Sequence, residues 1–410
     1  MEEKKERKMR DSGIPWIGEV PEGWEFSKIK YHCTMKSGDN ITALDISDNG
    51  EYPVYGGNGL RGFYKIYNKN GNHILIGRQG ALAGNVHLVN GKFWATDHAV
   101  IVTLKNDVFI NYFFRMLESM NLNQYAFDTA AQPGLSVSRI MNLNIVLPNL
   151  KEQHRIADFL GSKCSEIDTL IEHLRARMES AKEYKKAVIT EAVTKGLDKD
   201  AKMKDSGVEW IGEIPDGWKV VRFKHIASIK SNLVQPDKYM KYPQIAPDNI
   251  EKDTGRLLSH QTVEESGVIS GNHLFYRGQI LYSKIRPNLN KLTVAPFDGL
   301  CSADMYPIES KLPTLFMVYS MLSTYFVSQV SLIIQDRVKM PKINQEELGE
   351  IKVAVPSQQE MLTIADYLDS KCSEIDALLQ NYEYQIATLE EYKKSLIYEY
   401  VTGKKEVPEA

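Results

Sequence analysis

The sequence holds fragments of catalytic and phosphate-binding patterns but no complete catalytic constellation. Gly77-x-x-Gly80-x-x-x-Gly84 matches neither G-x-G-x-x-G nor a Walker loop, the two glycine patterns that cradle phosphate on backbone N–H groups. Gly91-Lys92 and Gly403-Lys404 lack the Ser or Thr that would follow in a phosphate loop. No Asn/Asp-Pro-Pro-aromatic run is present, so an amino-methyltransferase pocket is not expected. Glu183-x-Lys185 and Glu391-x-Lys393 match half of a nuclease motif but lack an upstream carboxylate, and they read as helix-surface charges. The nine His residues do not fall into metal-ligand spacing, and the four cysteines form no C-x-x-C pair. No catalytic residue and no metal site is therefore expected, and the chain is read as non-enzymatic.

What the chain does offer is two sets of basic and amide side chains on predicted loops. After the β-prone run His73–Ile76 come Arg78, Gln79 and Asn85; after Ile280–Tyr282 come Lys284, Arg286, Asn288, Asn290 and Lys291. A second cluster holds Gln132, Ser136 and Arg139 in one case and Arg337, Lys339 and Lys342 in the other. Lys36, Asn58, Arg61, Tyr64 and Lys65 join the first set, and Lys230 and Asn232 the second. Arg recognises guanine edges, Asn and Gln recognise adenine edges, and Lys mostly meets phosphate, so these clusters point to nucleic acid.

The elements that position these loops are duplicated. Residues 9–24 (MRDSGIPWIGEVPEGW) return at 203–218 (MKDSGVEWIGEIPDGW), and IADFLGSKCSEID at 156–168 returns as IADYLDSKCSEID at 364–376. The two offsets, 194 and 208, make the second middle 14 residues longer. Such a repeat sets the architecture before any other consideration. Near-identical ends around divergent middles imply two different tasks in one frame, because drift would have affected both. Trp16, Trp24, Trp210 and Trp218 lie in the repeated leading motifs and are expected to plug each domain onto the shared helices.

Each closing segment begins with Pro and a capping box, Asn149-x-x-Glu152 or Ser357-x-x-Glu360. Apolar residues then recur at intervals of four and three: Ile167, Ile171, Leu174, Met178, Ala181, Val188 and Ala192, and Ile375, Leu379, Tyr382, Ile386, Leu389, Leu396 and Tyr400. Both seams are broken by a lysine, Lys185 or Lys393, at the same place. This is a coiled-coil pattern. Ser165–Thr194 alone spans about 45 Å as helix, a stripe too long for one small domain to cover. The two helices are expected to pack antiparallel on each other as a spacer. The middles, with short β-prone runs, Gly/Asn-rich turns and helical pattern at Phe109–Leu117 and Leu315–Tyr325, predict an α+β fold.

The expected organisation is a pseudo-two-fold repeat. One globular domain (1–147, leading motif 9–24) is followed by a spacer helix (148–202), a second domain (203–355, leading motif 203–218) and a second helix (356–410). Composition agrees: 43% hydrophobic and 25% charged residues suit two or three packed domains. The net charge of −3 is unevenly spread, with +2 in residues 25–147, +4 in 219–355 and −9 in the remainder. The charged N-terminus lacks the apolar core of a secretory signal, no apolar run approaches a membrane span, and a cytoplasmic location is expected.

The paired motifs Leu147-Pro148-x-x-x-Glu152-Gln153-x-x-Ile156-Ala157-x-x-Leu160 and Val355-Pro356 through Leu368, with the D-S-G-x-x-W-I-G-E-x-P-x-G-W leader, resemble the specificity subunit of type I restriction–modification enzymes. The resemblance covers essentially the whole chain. It implies that each middle is a target-recognition domain for half of a bipartite asymmetric DNA site. It implies further that the helices set the unread gap and dock two modification (methyltransferase) subunits, with restriction subunits joining them. S-adenosylmethionine, ATP and Mg belong, on this resemblance, to those partners. The alternatives open at this point are a coiled-coil adaptor with two protein-binding domains, and a self-sufficient nuclease.

Overall fold

The structure, a computed structural model, describes residues 7–80, 83–105, 107–127, 134–337 and 339–408. Compactness divides the chain into Met1–Leu174 with Tyr384–Ala410, and Arg175–Glu383. The division falls inside the long helices, so each helix contributes to both units.

In the first unit an antiparallel sheet runs Cys33–Ser37, Ala99–Leu104, His73–Gly77, Val86–Val89. Side chains alternate between its faces, as the two-residue period of a strand requires. Ile74, Ile76, Val100 and Val102 enter the main core with helix Ile110–Ser119. Leu75 and Ile101 turn the other way and join Val89, Phe93 and Ala95 in a small second core. That core lies under a second sheet, ordered Gly59–Tyr64, Tyr52–Gly56, Lys92–Ala95, Lys69–Asn70, whose central pair is parallel.

The second unit repeats this plan. Its sheet runs Ala227–Ile229, Met305–Ser310, Ile280–Ser283, Leu292–Val294, and the five-stranded partner sheet again holds a parallel pair, Pro243–Ile245 with Gly299–Cys301. Ile280, Tyr282 and Ile308 face the main core, whereas Leu281 and Met305 face the small one. The expected helix over 315–325 is interrupted. Ser323 is extended, and helices Thr314–Leu322 and Thr324–Ile334 meet there at 59°. Among the described residues no single helix is long and apolar enough to cross a membrane.

The long helices are Leu150–Lys195 and Gln358–Val401. Asn149 and Ser357 cap them, accepting from the N–H of Glu152 and Glu360. The two glutamates do not close the expected capping boxes. Glu152 instead accepts from the Trp24 indole at 3.2 Å and pairs with Arg7, and Glu360 accepts from the Trp218 indole at 3.0 Å. An indole N–H inside an apolar plug must find an acceptor, and the helix start supplies one. Trp24 and Trp218 are buried plugs as expected; Trp16 is only half-buried and Trp210 is exposed, so the leading motif buries one tryptophan of each pair.

Within each unit the two helices run antiparallel. In the first, Phe159 packs on Tyr400 and Asp168 meets Lys393; in the second, Lys185 meets Asp376 while Gly196 lies beside Glu360. Ile167, Ile171, Val188, Ile375 and Leu396 are buried in the seam, and Leu174, Met178, Leu379, Tyr382, Ile386 and Leu389 are half-buried. The lysine that breaks each stripe is answered by an aspartate of the facing helix, both carboxylate oxygens lying within 2.8 Å of its Nζ.

Candidate nucleic-acid interface

In the first domain the strand His73–Gly77 ends in a loop closed by Gly77 N–H to Asn85 O and Gly84 N–H to Gly77 O. Gly84 has φ +101°, and a Cβ there would stand 2.4 Å from the Asn123 backbone nitrogen, so only glycine closes this loop. Arg78 extends from it and donates to Ser37 Oγ at 3.2 Å, and Asn85 reaches Asn58 at 3.4 Å. The Gly57–Asn58 turn lies on the same loop: a Cβ on Gly57 would be 3.4 Å from Gln79 O and 3.7 Å from Arg78 N. Asn58, Arg78, Gln79 and Asn85 are thus brought to one edge of the domain.

Gln79 forms a β-bridge with Gly134, which brings the second predicted cluster alongside. There Ser136 uses its hydroxyl to cap helix Val137–Met141, and Arg139 covers the Tyr125 ring; Gln132 lies outside the described residues. Lys36, Arg61 and Lys65 are exposed and form no ion pair among the described residues, whereas Tyr64 is half-buried against Trp94. Lys36 shares a cleft with Ser37, Asp39 and Lys69. Lys69 was not singled out from the sequence, although its place beside an Asn-Gly turn is a loop signal.

The second domain repeats the edge with different chemistry. The bridge Ile285–Lys342 occupies the place of Gln79–Gly134, so Lys284 stands where Arg78 does. Its ammonium lies over the Tyr306 ring, 5.4 Å from the centroid. Arg286 and Asn288 are exposed on either side of Pro287, and Arg286 takes a left-handed φ of +43°. Asn290 corrects an expectation: it is buried and donates to Met321 O, so it shapes the loop from inside and presents no face to a duplex.

Several basic residues of this domain are engaged internally. Lys291 donates to Pro247 O at 2.8 Å, Lys342 pairs with Asp304 at 3.0 Å, Arg337 pairs with Glu347, and Lys230 meets Glu309 at 2.6 Å. Lys339 is exposed and without an ion pair among the described residues. Lys230 and Asn232 line a cleft with Tyr276 and Arg277, at the place Lys36 occupies in the first domain.

Two histidines sit behind these edges. His87 packs near Gly59 and His273 is buried beside Cys301. Burial holds both below the usual imidazole range, and the Lys284 charge adds to the effect at His273. Among the described residues no group of three or more His, Cys, Asp or Glu is placed to hold a metal ion. One arrangement escaped the sequence. Ser27 Oγ lies 2.6 Å from His32 Nε2, and His32 Nδ1 lies 2.6 Å from Asp107. The relay ties the strand Glu25–Lys28 to the turn after Leu104, and the second copy has Val221 and Ile226 in its place.

The chain is thus a duplicated α+β plan with unlike middles, each unit built on segments of the same two long helices. The family model described as "Type I restriction modification DNA specificity domain" matches residues 21–179. The EcoDI type I restriction enzyme specificity subunit of Escherichia coli is 34% identical over 61% of this chain and 60% of its own length. The MjaVIII specificity subunit of Methanocaldococcus jannaschii is 27% identical over 94% of this chain and 93% of its own. A solved chain from a study of the assembly and conformational transition of a type I restriction–modification system shares the fold, with TM-score 0.65 and 15% identity over 94% of this chain and 99% of that one. The chain is similar in sequence to type I restriction–modification specificity subunits over part of their length and shares their fold.

Proposed function

We propose that the chain is the non-catalytic, cytoplasmic DNA-reading subunit of a type I restriction–modification complex. Residues 25–147 and 219–355 each read one half of a split, asymmetric duplex sequence. The long helices set the unread gap and dock two modification subunits, which restriction subunits join. S-adenosylmethionine, ATP and Mg are supplied on those partners. One observation carries the reading: two domains of the same topology but different sequence bring basic and amide side chains to the same strand end, Arg78 and Gln79 in one, Lys284 and Arg286 in the other.

The docking role is supported by exposed apolar residues that recur at the helix offset of 208. Leu170 and Leu378 are 51% and 42% exposed, and Tyr184 and Tyr392 are 52% and 54% exposed. The adjoining ion pairs Lys163–Glu166 and Lys371–Glu374 repeat as well. Two equal patches fit two copies of one partner.

Phosphate contacts make affinity fall with salt, and base-edge contacts add discrimination of about 1–3 kcal/mol per bidentate pair. The test is selection from randomised duplexes by the chain with its co-purifying subunits, followed by a salt series. A split motif with salt-dependent affinity is expected; no sequence preference and no salt dependence would overturn the proposal. Exchanging residues 25–147 for another such domain should change one half-site only.

A further inference from the structure

The extra length of the second middle has a definite place. In the first domain the strand Tyr52–Gly56 turns back at once through Gly57–Asn58 into Gly59–Tyr64. In the second, residues 246–260 intervene between Ile245 and Gln261. This segment is closed at its neck by Leu258 N–H to Asn249 O and by the bridge Ile250–Leu257. Its tip is folded on itself, with Thr254 donating to Glu251 and Arg256 paired to Glu251 at 3.2 Å.

The segment has two anchorages. At its base, Lys291 from the recognition loop donates to Pro247 O and lies 3.6 Å from Asp248. At its tip, Gly255 (φ +79°) sits over Leu322, and the Asp253 carboxylate lies 3.9 Å from Lys186 Nζ on the first long helix. Asp253 itself has a left-handed φ of +62°, a conformation disfavoured for a residue with a Cβ. Between tip and helices lies a cavity of about 470 Å³ bordered by Lys182, Lys185, Asp376 and Gln380. Lys186 and its repeat Lys394 are both held by the glutamate three residues before them, Glu183 and Glu391. Among the described residues only Lys186 also meets a carboxylate of a recognition-domain loop, and it is 38% exposed where Lys394 is 73% exposed.

We propose that residues 246–260 are a strut that braces the recognition loop 284–291 on the long helix, with Lys291, Asp253 and Lys186 as positioning residues for the second half-site. The inference rests on the DNA-reading function proposed above. The physical need is visible in the packing. The outer sheet of this domain has its own small core of Ile245, Phe275, Leu281, Cys301 and Met305, separate from the core that holds the helices. Sheets joined through a small core can rock on one another, and successive bases are only about 3.4 Å apart along a strand. A few ångströms of rocking would therefore blur the gap by one base pair without changing which bases are read.

The test uses the full-length chain with the subunits that co-purify with it, and a pool of randomised DNA duplexes whose bound fraction is sequenced for both half-site motifs and the gap. One variant replaces residues 250–257 with two glycines, joining Asn249 to Leu258; the other, Asp253→Gly, keeps the segment, suits the left-handed backbone and removes the tie to Lys186. Both half-site motifs should persist. Preference for the native gap over gaps one base pair shorter or longer should fall about tenfold in the excision and about threefold in Asp253→Gly. Should the excised chain fail to fold, Asp253→Gly decides. A wild-type split motif whose gap distribution is unchanged in the variants, or a variant with altered second half-site bases, overturns the strut alone. A wild-type chain that selects no split motif overturns the DNA-reading function together with it.

Discussion

The Lys185–Asp376 pair is unequally buried, and that inequality makes a quantitative prediction. The Lys185 side chain is 10% exposed within the helical seam, whereas Asp376 is 49% exposed. Asp376→Asn strips the partner from an ammonium that remains in the seam. Breaking a buried pair costs about 3–5 kcal/mol, and water reaching the aspartate side places this case at the lower end, about 3 kcal/mol. Lys185→Met removes the buried charge, fills the seam with an unbranched apolar chain and leaves Asp376 free to hydrate. Its effect should stay within about 1 kcal/mol in either direction. The difference, at least about 2 kcal/mol, corresponds to an opening equilibrium roughly 30-fold or more larger in Asp376→Asn. Amide hydrogen exchange by mass spectrometry over residues 180–190 and 370–380 reads that equilibrium locally, which suits a chain of two units better than a global melt. Exchange in Lys185→Met as fast as in Asp376→Asn would refute the burial reasoning. The repeat pair, with Lys393 21% exposed, should show the same order of effects at smaller size.

Arg78→Ala should cost about 1–3 kcal/mol of discrimination at one half-site, read from the selected motif. Lys36→Ala or Lys69→Ala should instead lower the slope of log affinity against log salt by about 1 each, with the motif intact. All four cysteines are free and buried; burial pushes Cys33 up to about 12 and Cys372 to about 11, and raises Cys164 and Cys301. Iodoacetamide at neutral pH should therefore add no adduct to the native chain, and four after denaturation. His87 and His273 are held neutral in the fold, below their ordinary value of 6.5. The stability this permits is present above pH 6.5 and is lost as pH falls through that value toward the folded one. Replacing His273 with Gln should flatten the acid limb of a stability–pH curve, and an unchanged limb would show that His273 does not contribute to it.

Much of the architecture is legible without coordinates because it is periodic or repeated. The a/d stripe, its lysine interruption, the Asn149 and Ser357 caps and the alternating strands His73–Gly77 and Ile280–Ser283 follow from spacing along one segment. The candidate interface is legible only in outline. Arg78 and Lys284 align because their strands are equivalent, but Lys291, Lys342 and Arg337 carry the same basic signature while engaged by Pro247, Asp304 and Glu347. Asn290 has loop composition and a buried side chain, a difference decided by Met321, thirty-one residues away.

From the sequence alone follow the duplication, the two long helices and the positions at which the copies diverge, since each is written in composition and period. Tertiary structure alone decided which charges are available and which are spent. It also decided that Trp24 and Trp218 take the capping glutamates, that Asp168 and Asp376 answer the seam lysines, and that the second middle's extra residues lean on the helix. Partnerships between residues far apart in the chain depend on how faces approach in space, and linear spacing carries no record of that approach.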